Sequence, residues 1–330
     1  MQKKGESQRR WDVIGFGENS VDTIVTLGRL PKADGKVAVD QVAVRPGGQI
    51  ATAMVGCARL GLRSAYVGTF GTDAGSAPIR AALARAKVTT SLCRRVAVPN
   101  RSAVILVETA RGTRTVLAHR DPALAWPPAE VPTGQVGHAR ALLIDGTDPE
   151  AAGRMAGAAR RSGTLVVADI ESGGPVLDGL AAVVDILVVP SGLARQGRRL
   201  LRHGPRVVVA TLGAAGAVAW DGRAEVFSPG FVVPVVDSTG AGDAFRAGLV
   251  AAVLEVPGGW QTGLPLPQIL EFANACAALN CLGHGAQSGL PTRAEVARFV
   301  TERPRRRSKS SWERLQVQQR SADRRRGDRR

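Results

Sequence analysis

Residues 139–170, ARALLIDGTDPEAAGRMAGAARRSGTLVVADI, contain two short apolar runs on either side of a longer stretch rich in alanine and arginine. The runs ARALLIDG and LVVADI have the continuous apolar character of strands that are buried on both faces. The stretch PEAAGRMAGAARRSG has the length and composition of a helix. A strand, a helix and a second strand in this order predict a parallel sheet covered by helices, which is the α/β class.

The same alternation extends over most of the chain. Further strands are predicted at residues 11–17, 64–71, 185–190 and 206–213, and further helices at residues 49–61, 75–88 and within 235–254. The chain has 330 residues and 44% apolar content, which is enough for one large α/β domain or two smaller ones. No internal repeat is visible.

Two segments break this rhythm because apolar and polar residues alternate in them. They are KVAVDQVAVRPGG at residues 36–48 and the pair RSAVILVET and TRTVLAHR at residues 101–109 and 113–120. A period of two residues is typical of antiparallel strands with one exposed face. We therefore predict a small second sheet that projects from the main body.

The formal net charge of +16 is concentrated at the two ends of the chain. Residues 303–330 carry +9 and residues 1–10 carry +3, which leaves +4 for residues 11–302. The tail has too few apolar residues to order itself, so we predict disordered basic extensions at both ends. Binding of the tail to nucleic acid stays open as an alternative, since clustered arginines release counterions from a polyanion. Trp312 is the only aromatic residue in the tail, which does not favour base stacking.

Other function classes are disfavoured by simple features of the sequence. Four scattered cysteines without a CxxC pair argue against a zinc site and a disulfide framework, and favour a reducing cytoplasm. No apolar span approaches twenty residues, so we expect neither export nor a membrane span. The segment GFGENS at residues 15–20 lacks the third glycine of a dinucleotide fingerprint, and no GxxxxGK[ST] occurs.

The stretch VVDSTGAGDAFRAGLVAAVL, residues 235–254, places Asp237 and Asp243 on either side of three small residues where an extended segment becomes a helix. Small residues at a helix N-terminus leave backbone N–H groups unobstructed, and such groups bind anions. A carboxylate beside an anion site is unfavourable unless it has a chemical role, and phosphoryl transfer to a hydroxyl requires a base at this place. An ordinary helix cap accounts for the spacing equally well.

Four ordered segments resemble the PfkB family of carbohydrate kinases, the ribokinase-like sugar kinases. DSTGAGDAF at residues 237–245 resembles the C-terminal signature of the family, and residues 45–76, beginning RPGGQIATAM, resemble its N-terminal signature. TLGAAGA at residues 211–217 resembles the nucleotide loop, and residues 272–291 resemble the closing helix and turn. The resemblance covers roughly residues 11–302.

The resemblance implies a three-layer αβα sandwich with a mostly parallel central sheet and a small projecting β-sheet lid. The lid strands would lie within about residues 22–46 and 100–120. It also implies ATP as the phosphoryl donor, Mg²⁺ bridging the phosphates, and a sugar or sugar-like hydroxyl as the acceptor. In such a fold we expect the apolar face of the lid to be a homodimer surface.

The resemblance also implies roles for individual residues. Asp243 would take the proton from the attacking hydroxyl, and the backbone N–H groups of Gly240, Ala241 and Gly242 would hold the developing negative charge. Asp237 stands where related kinases hold a monovalent cation such as K⁺. The residues implied for the nucleotide are Thr211, Gly213, Gly216 and Asn274, the last beside the base. The residues implied for the acceptor are Asp22, Gly47, Gly48 and Thr52.

The chain departs from the family pattern at three places. Ser191 and Ala194 stand where an Asn-x-x-Glu often orders metal-bound water, which puts carboxylate support of Mg²⁺ in question. Thr52 replaces the usual asparagine, so the acceptor stays open. Arg246 follows DAF, where small or polar residues are commoner. A solvated helix arginine and a contact with an anionic acceptor both account for it.

Two other functions remain compatible with the same resemblance. One is a nucleoside kinase of the same fold. The other is a catalytically weakened relative that acts as a binding or regulatory protein. The intact Asp243 and the anion-binding turn argue against the second.

Overall fold

The computed structural model describes residues 9–111 and 113–302. The basic tail and most of the predicted N-terminal extension lie outside the described residues. Within the described part of the chain, no helix is both long and apolar enough to cross a bilayer.

The main sheet has eight strands, and helices cover both of its faces. Its strands are β1 (Trp11–Phe16), β4 (Ser64–Val67), β9 (Ala139–Asp145), β10 (Leu165–Asp169), β11 (Ile186–Pro190), β12 (Val207–Thr211), β13 (Gly216–Trp220) and β14 (Glu225–Pro229). Their order is β14-β13-β12-β11-β10-β9-β1-β4. The pairings from β4 to β12 are parallel, which confirms the predicted sheet. The edge hairpin of β13 and β14 is antiparallel and was not predicted.

The helices pack on the sheet through two separate apolar clusters. In the described chain they are α1 (Gln49–Arg59), α2 (Ser76–Arg85), α3 (Pro149–Arg161), α4 (Pro175–Ala181), α5 (Gly197–Leu201), α6 (Ala241–Leu254), α7 (Leu266–Asn280) and α8 (Arg293–Glu302). Because successive side chains of a strand point to opposite faces, Leu143 joins the cluster with α1, α6 and α7, and Leu142 joins the cluster with α3, α4 and α5. The sheet is therefore buried on both faces, as its apolar strands require.

The prediction of one strand over residues 64–71 is wrong. The chain leaves the main sheet after β4, and β5 (Thr69–Gly71) pairs instead with β6 (Arg94–Val96) in a two-stranded sheet. Gly68 lies at the break, and its carbonyl accepts the N–H of Arg94 at 3.0 Å. A side chain at this position would overlap the Tyr66 hydroxyl, so the bend requires glycine.

The predicted small sheet is present as a separate four-stranded lid. Its strands are β2 (Ser20–Leu27), β3 (Gln41–Gly47), β7 (Ser102–Glu108) and β8 (Thr113–His119), in the order β3-β2-β7-β8. The β2–β3 and β7–β8 pairings are antiparallel as predicted, whereas β2 and β7 are parallel. One face carries a row of exposed apolar side chains that includes Val44, Val104 and Leu117.

The packing of α1 on β1 depends on Gly15. A Cβ atom at Gly15 would come within 2.6 Å of Ile50 Cγ2 and Met54 Cγ. We expect Gly15→Ala to lower the free energy of unfolding by about 1–3 kcal/mol because it overpacks the core. Gly28→Ala is the matched control, since no atom lies within 4 Å of its added carbon. Urea unfolding followed by circular dichroism measures both, and equal stability of the two variants would contradict the close packing.

Candidate active site

Several carboxylates lie at the carboxyl edge of the main sheet, where α/β proteins bind ligands. Glu18 follows β1, Asp145 is the last residue of β9, and Asp169 is the last residue of β10. Asp243 lies in the first turn of α6 and is buried beside them. An acidic residue at the end of a buried strand is the sequence signal that identifies Asp145 and Asp169, and the motif comparison missed both.

The turn before α6 is shaped by Gly240, which precedes the first helical residue. Its φ of 76° lies in the left-handed region, and a Cβ atom would overlap the carbonyl of Ala286. Only glycine fits both constraints. The N–H of Ala241 donates to the carbonyl of Ser238 at 3.2 Å, so an anion at this turn would compete with that bond.

Asp237 connects this turn to the segment after α7. Its Oδ1 accepts the N–H of Thr239 and its Oδ2 accepts the N–H of Gly285, both at 2.8 Å. Burial acts to raise its pKa, but these hydrogen bonds hold the pKa below the usual value. The carboxylate therefore stays ionised and fixes two loops to each other.

Asp243 is placed so that its protonation responds to pH near neutrality. Burial raises its pKa to about 8, against the opposing charge of Arg246, whose Nη1 lies 2.7 Å from Oδ1. The rise is increased by three neighbouring carboxylates, those of Asp169, Glu171 and Glu18. A group with this pKa can both accept and release a proton near physiological pH.

Arg246 is buried, with only 8% of its surface exposed, so the interpretation of a solvated helix arginine is wrong. Its Nη2 lies 2.6 Å from Oδ2 of Asp169, a carboxylate whose pKa is raised by burial to about 6. The guanidinium thus joins α6 to the end of β10.

The residues predicted for the nucleotide lie together around one cavity of about 330 Å³. Its lining includes Thr211, Gly213, Gly216, Asn274, Ala241 and Gly242. Apolar side chains such as Phe231 and Phe245 complete the wall. The amide nitrogen of Asn274 already donates to the carbonyl and hydroxyl of Ser228, each at 3.1 Å.

The residues predicted for the acceptor form a second group at the base of the lid. Asp22 on β2 accepts a hydrogen bond from Ser20 and contacts Gly47, where a side chain would overlap its carboxylate. Gly48 has a φ of 89° and lies against the backbone that precedes β2. Thr52 is buried on α1, and sequence reasoning missed its partner Gln287, whose Nε2 donates to the Thr52 hydroxyl at 3.2 Å.

Glu18 connects the acceptor group electrostatically to Asp243. Arg101 forms an ion pair with Glu18. Burial raises the pKa of Asp22, and the hydrogen bond from Ser20 and the charge of Arg101 oppose that rise. Burial raises the pKa of Glu18 to about 7, and the charge of Glu18 in turn raises the pKa of Asp243. The two groups therefore share one electrostatic environment.

The donor set for a divalent metal is sparse. Within residues 9–111 and 113–302, no group of three or more His, Cys, Asp or Glu side chains is arranged to hold a metal ion. Ser191 and Ala194, at the end of β11, supply no carboxylate.

Comparison with known proteins shows the same fold and similar sequences. Residues 12–293 match the model of the pfkB family carbohydrate kinases. The ATP-dependent ribose-1-phosphate kinase of Halopiger xanaduensis is 28% identical, over 88% of this chain and 98% of the relative. A nucleoside kinase of Methanothermobacter thermautotrophicus is 25% identical, over 88% of this chain and 96% of the relative. Arabidopsis thaliana ribokinase, solved with ribose and ATP, superposes with a TM-score of 0.76 at 23% identity, over 88% of this chain and 98% of that chain.

Gly240→Ala tests whether the turn before α6 depends on the contact with Ala286. We expect it to destabilise the protein by about 1–3 kcal/mol more than Gly222→Ala, because it adds overpacking to backbone strain. Gly222 is the matched control: it also has a positive φ, 83°, but its added carbon meets no atom within 4 Å. Thermal melting measures the difference, and identical melting temperatures would show that the contact is not restrictive.

Proposed function

Because the chain belongs to the pfkB family of carbohydrate kinases, we propose that it transfers the γ-phosphoryl group of ATP to a hydroxyl of a sugar or sugar-like small molecule. The observation that carries this proposal is the position of Asp243. It is a buried carboxylate next to the turn at Gly240, and that turn borders the cavity with the predicted nucleotide residues. A base, an anion-binding turn and a nucleotide cavity are the parts that this reaction needs.

In the proposed mechanism Asp243 removes the proton of the acceptor hydroxyl as the phosphoryl group arrives. Its raised pKa makes it a stronger base than an ordinary aspartate, which suits proton abstraction near neutral pH. The backbone N–H groups of Gly240, Ala241 and Gly242 face the charge that develops on the phosphoryl oxygens. At Ala241 this stabilisation requires the N–H to exchange its 3.2 Å hydrogen bond with the carbonyl of Ser238 for one with the phosphoryl group.

The proposed reaction uses Mg²⁺ and a monovalent cation, which would bind in different ways. Mg²⁺ binds through substrate phosphates and water rather than through protein cages, which fits the sparse donor set of this chain. When bound, it would neutralise charge on the phosphates. For a monovalent cation such as K⁺, we propose Asp237, an ionised carboxylate whose two oxygens keep further lone pairs beyond their hydrogen bonds.

For the acceptor we propose Asp22, Gly47, Gly48 and Thr52. Asp22 offers carboxylate oxygens to hydroxyl groups, and the two glycines allow the acceptor to approach the backbone. The terminal nitrogens of Arg246 already lie against two carboxylates, so an anionic acceptor would compete with both ion pairs for the guanidinium. This favours a neutral hydroxyl compound over one that needs Arg246 for its phosphate.

Two further proposals concern the setting of the reaction. The exposed apolar row of the lid favours a homodimer in which two lids cover each other. The absence of a membrane-crossing helix from the described residues is compatible with a place in the cytoplasm, where ATP is available.

A panel of acceptors tests the proposed function. We expect acceptor-dependent release of ADP with at least one sugar, measured with purified protein, ATP and Mg²⁺ over ribose, fructose, ribose 1-phosphate and nucleosides. Turnover with nucleosides alone would favour the nucleoside kinase. The absence of turnover with every compound would contradict the kinase and favour a binding protein.

Asp243→Asn tests the proposed base. Asparagine keeps the shape of the side chain but cannot accept the proton, so we expect kcat to fall at least about a hundredfold. The Kd for ATP, measured by calorimetry, should stay within about twofold. Asp178→Asn on the surface of α4 is the control and should keep the wild-type kcat. A near wild-type rate in Asp243→Asn would remove this residue from its proposed role.

A further inference from the structure

Arg246 holds together two buried carboxylates from different elements of the fold. Its Nη1 lies 2.7 Å from Asp243 on α6, and its Nη2 lies 2.6 Å from Asp169 at the end of β10. All three residues are at least nine-tenths buried. Burying three charges is costly, and such a group is weak support for stability, so its presence beside the proposed base calls for another reason.

The local geometry brings the guanidinium to the beginning of the helix. Arg246 is three residues after Asp243 and therefore lies on the same face of α6. Its side chain turns back toward the N-terminus, as long helical side chains do. A Cβ atom at Gly242 would come within 2.9 Å of Nη1, so the absence of a side chain there leaves room for the guanidinium.

We infer that Arg246, anchored by Asp169, is a positioning residue that sets the orientation and the charge state of Asp243 for phosphoryl transfer. The inference rests on the proposed function, because it concerns how the same base is held. Asp169 anchors the guanidinium of Arg246, and its own charge also acts directly on Asp243. The carboxylate of Asp243, the proposed proton acceptor, is thereby held against the end of β10.

The charges around Asp243 make this inference testable. From its own helix it meets Arg246, from the end of β10 Asp169 and Glu171, and from the segment after β1 Glu18. Arg246 favours the ionised carboxylate, whereas the three carboxylates oppose it. Removing the charge of Arg246 and removing the charge of Asp169 must therefore shift the titration of Asp243 in opposite directions.

The experiment compares the pH dependence of kcat/KM for the acceptor in wild type, Arg246→Gln, Arg246→Lys and Asp169→Asn. The base works when deprotonated, so activity rises with pH through its pKa, which burial raises to about 8 in the wild type. In Arg246→Gln the rise should move to higher pH by about 1–3 units, because an adjacent opposite charge is lost. In Asp169→Asn it should move to lower pH. In Arg246→Lys the rise should stay near its wild-type position, since the charge is kept, while kcat falls because an ammonium cannot bridge two carboxylates.

Arg63→Gln is the matched control, since it removes a surface ion pair with Asp12 at the opposite end of β1 and should leave the profile unchanged. Unshifted profiles in Arg246→Gln and Asp169→Asn, or shifts in the same direction, would overturn the inference. If Arg246→Gln does not fold, Asp169→Asn and Arg246→Lys decide the matter by the same criteria. The absence of turnover by the wild type with every acceptor would refute the proposed function, and a near wild-type rate in Asp243→Asn would remove Asp243 from its role as the base. An inactive Asp243→Asn with an unshifted Arg246→Gln would refute only this inference.

Discussion

The contact between the turn at Gly240 and the segment after α7 is the constraint on which the site depends. Three consecutive residues of that segment each contact a different residue of the candidate site. The N–H of Gly285 binds Asp237, the carbonyl of Ala286 lies against Gly240, and the amide of Gln287 donates to Thr52. Any shift of this segment would move the turn at Gly240 and the residues predicted for the acceptor together.

Several buried carboxylates lie at the carboxyl edge of the sheet, although burying a charged group is unfavourable for stability. Each is held differently. Asp145 accepts the N–H groups of Glu18 and Thr147 at 2.8 and 2.9 Å, whereas Asp169 relies on Arg246. Burial raises the pKa of both carboxyls, so the interactions only partly offset the cost of desolvation. Buried carboxylates with raised pKa values, at the sheet edge where α/β proteins bind ligands, are typical of a functional site rather than of a structural core.

The sequence was sufficient where a signal is local. Continuous apolar strands and the alternation in the lid come from side-chain periodicity, which a short window contains, and the four family segments are contiguous motifs. It was insufficient where partners are distant. Gln287 and Thr52 are 235 residues apart, and nothing near either residue predicts their bond. The single strand predicted across Gly68 failed for a related reason, because the segment after Gly68 pairs with β6, and Arg94 of β6 donates to the Gly68 carbonyl from 26 residues away.

Two of the three departures from the family motif, at Thr52 and at Arg246, meet a residue that is distant in sequence. Thr52 lacks the usual amide, but the amide of Gln287 meets its hydroxyl. Arg246 introduces a charge beside the proposed base, but Asp169 faces it from another strand. A comparison of the motif one position at a time shows that each residue differs from the family pattern, but it does not show the distant residue that contacts it. At both positions the side chain has a partner that is distant in sequence, so an exchange at Arg246 is best understood together with Asp169.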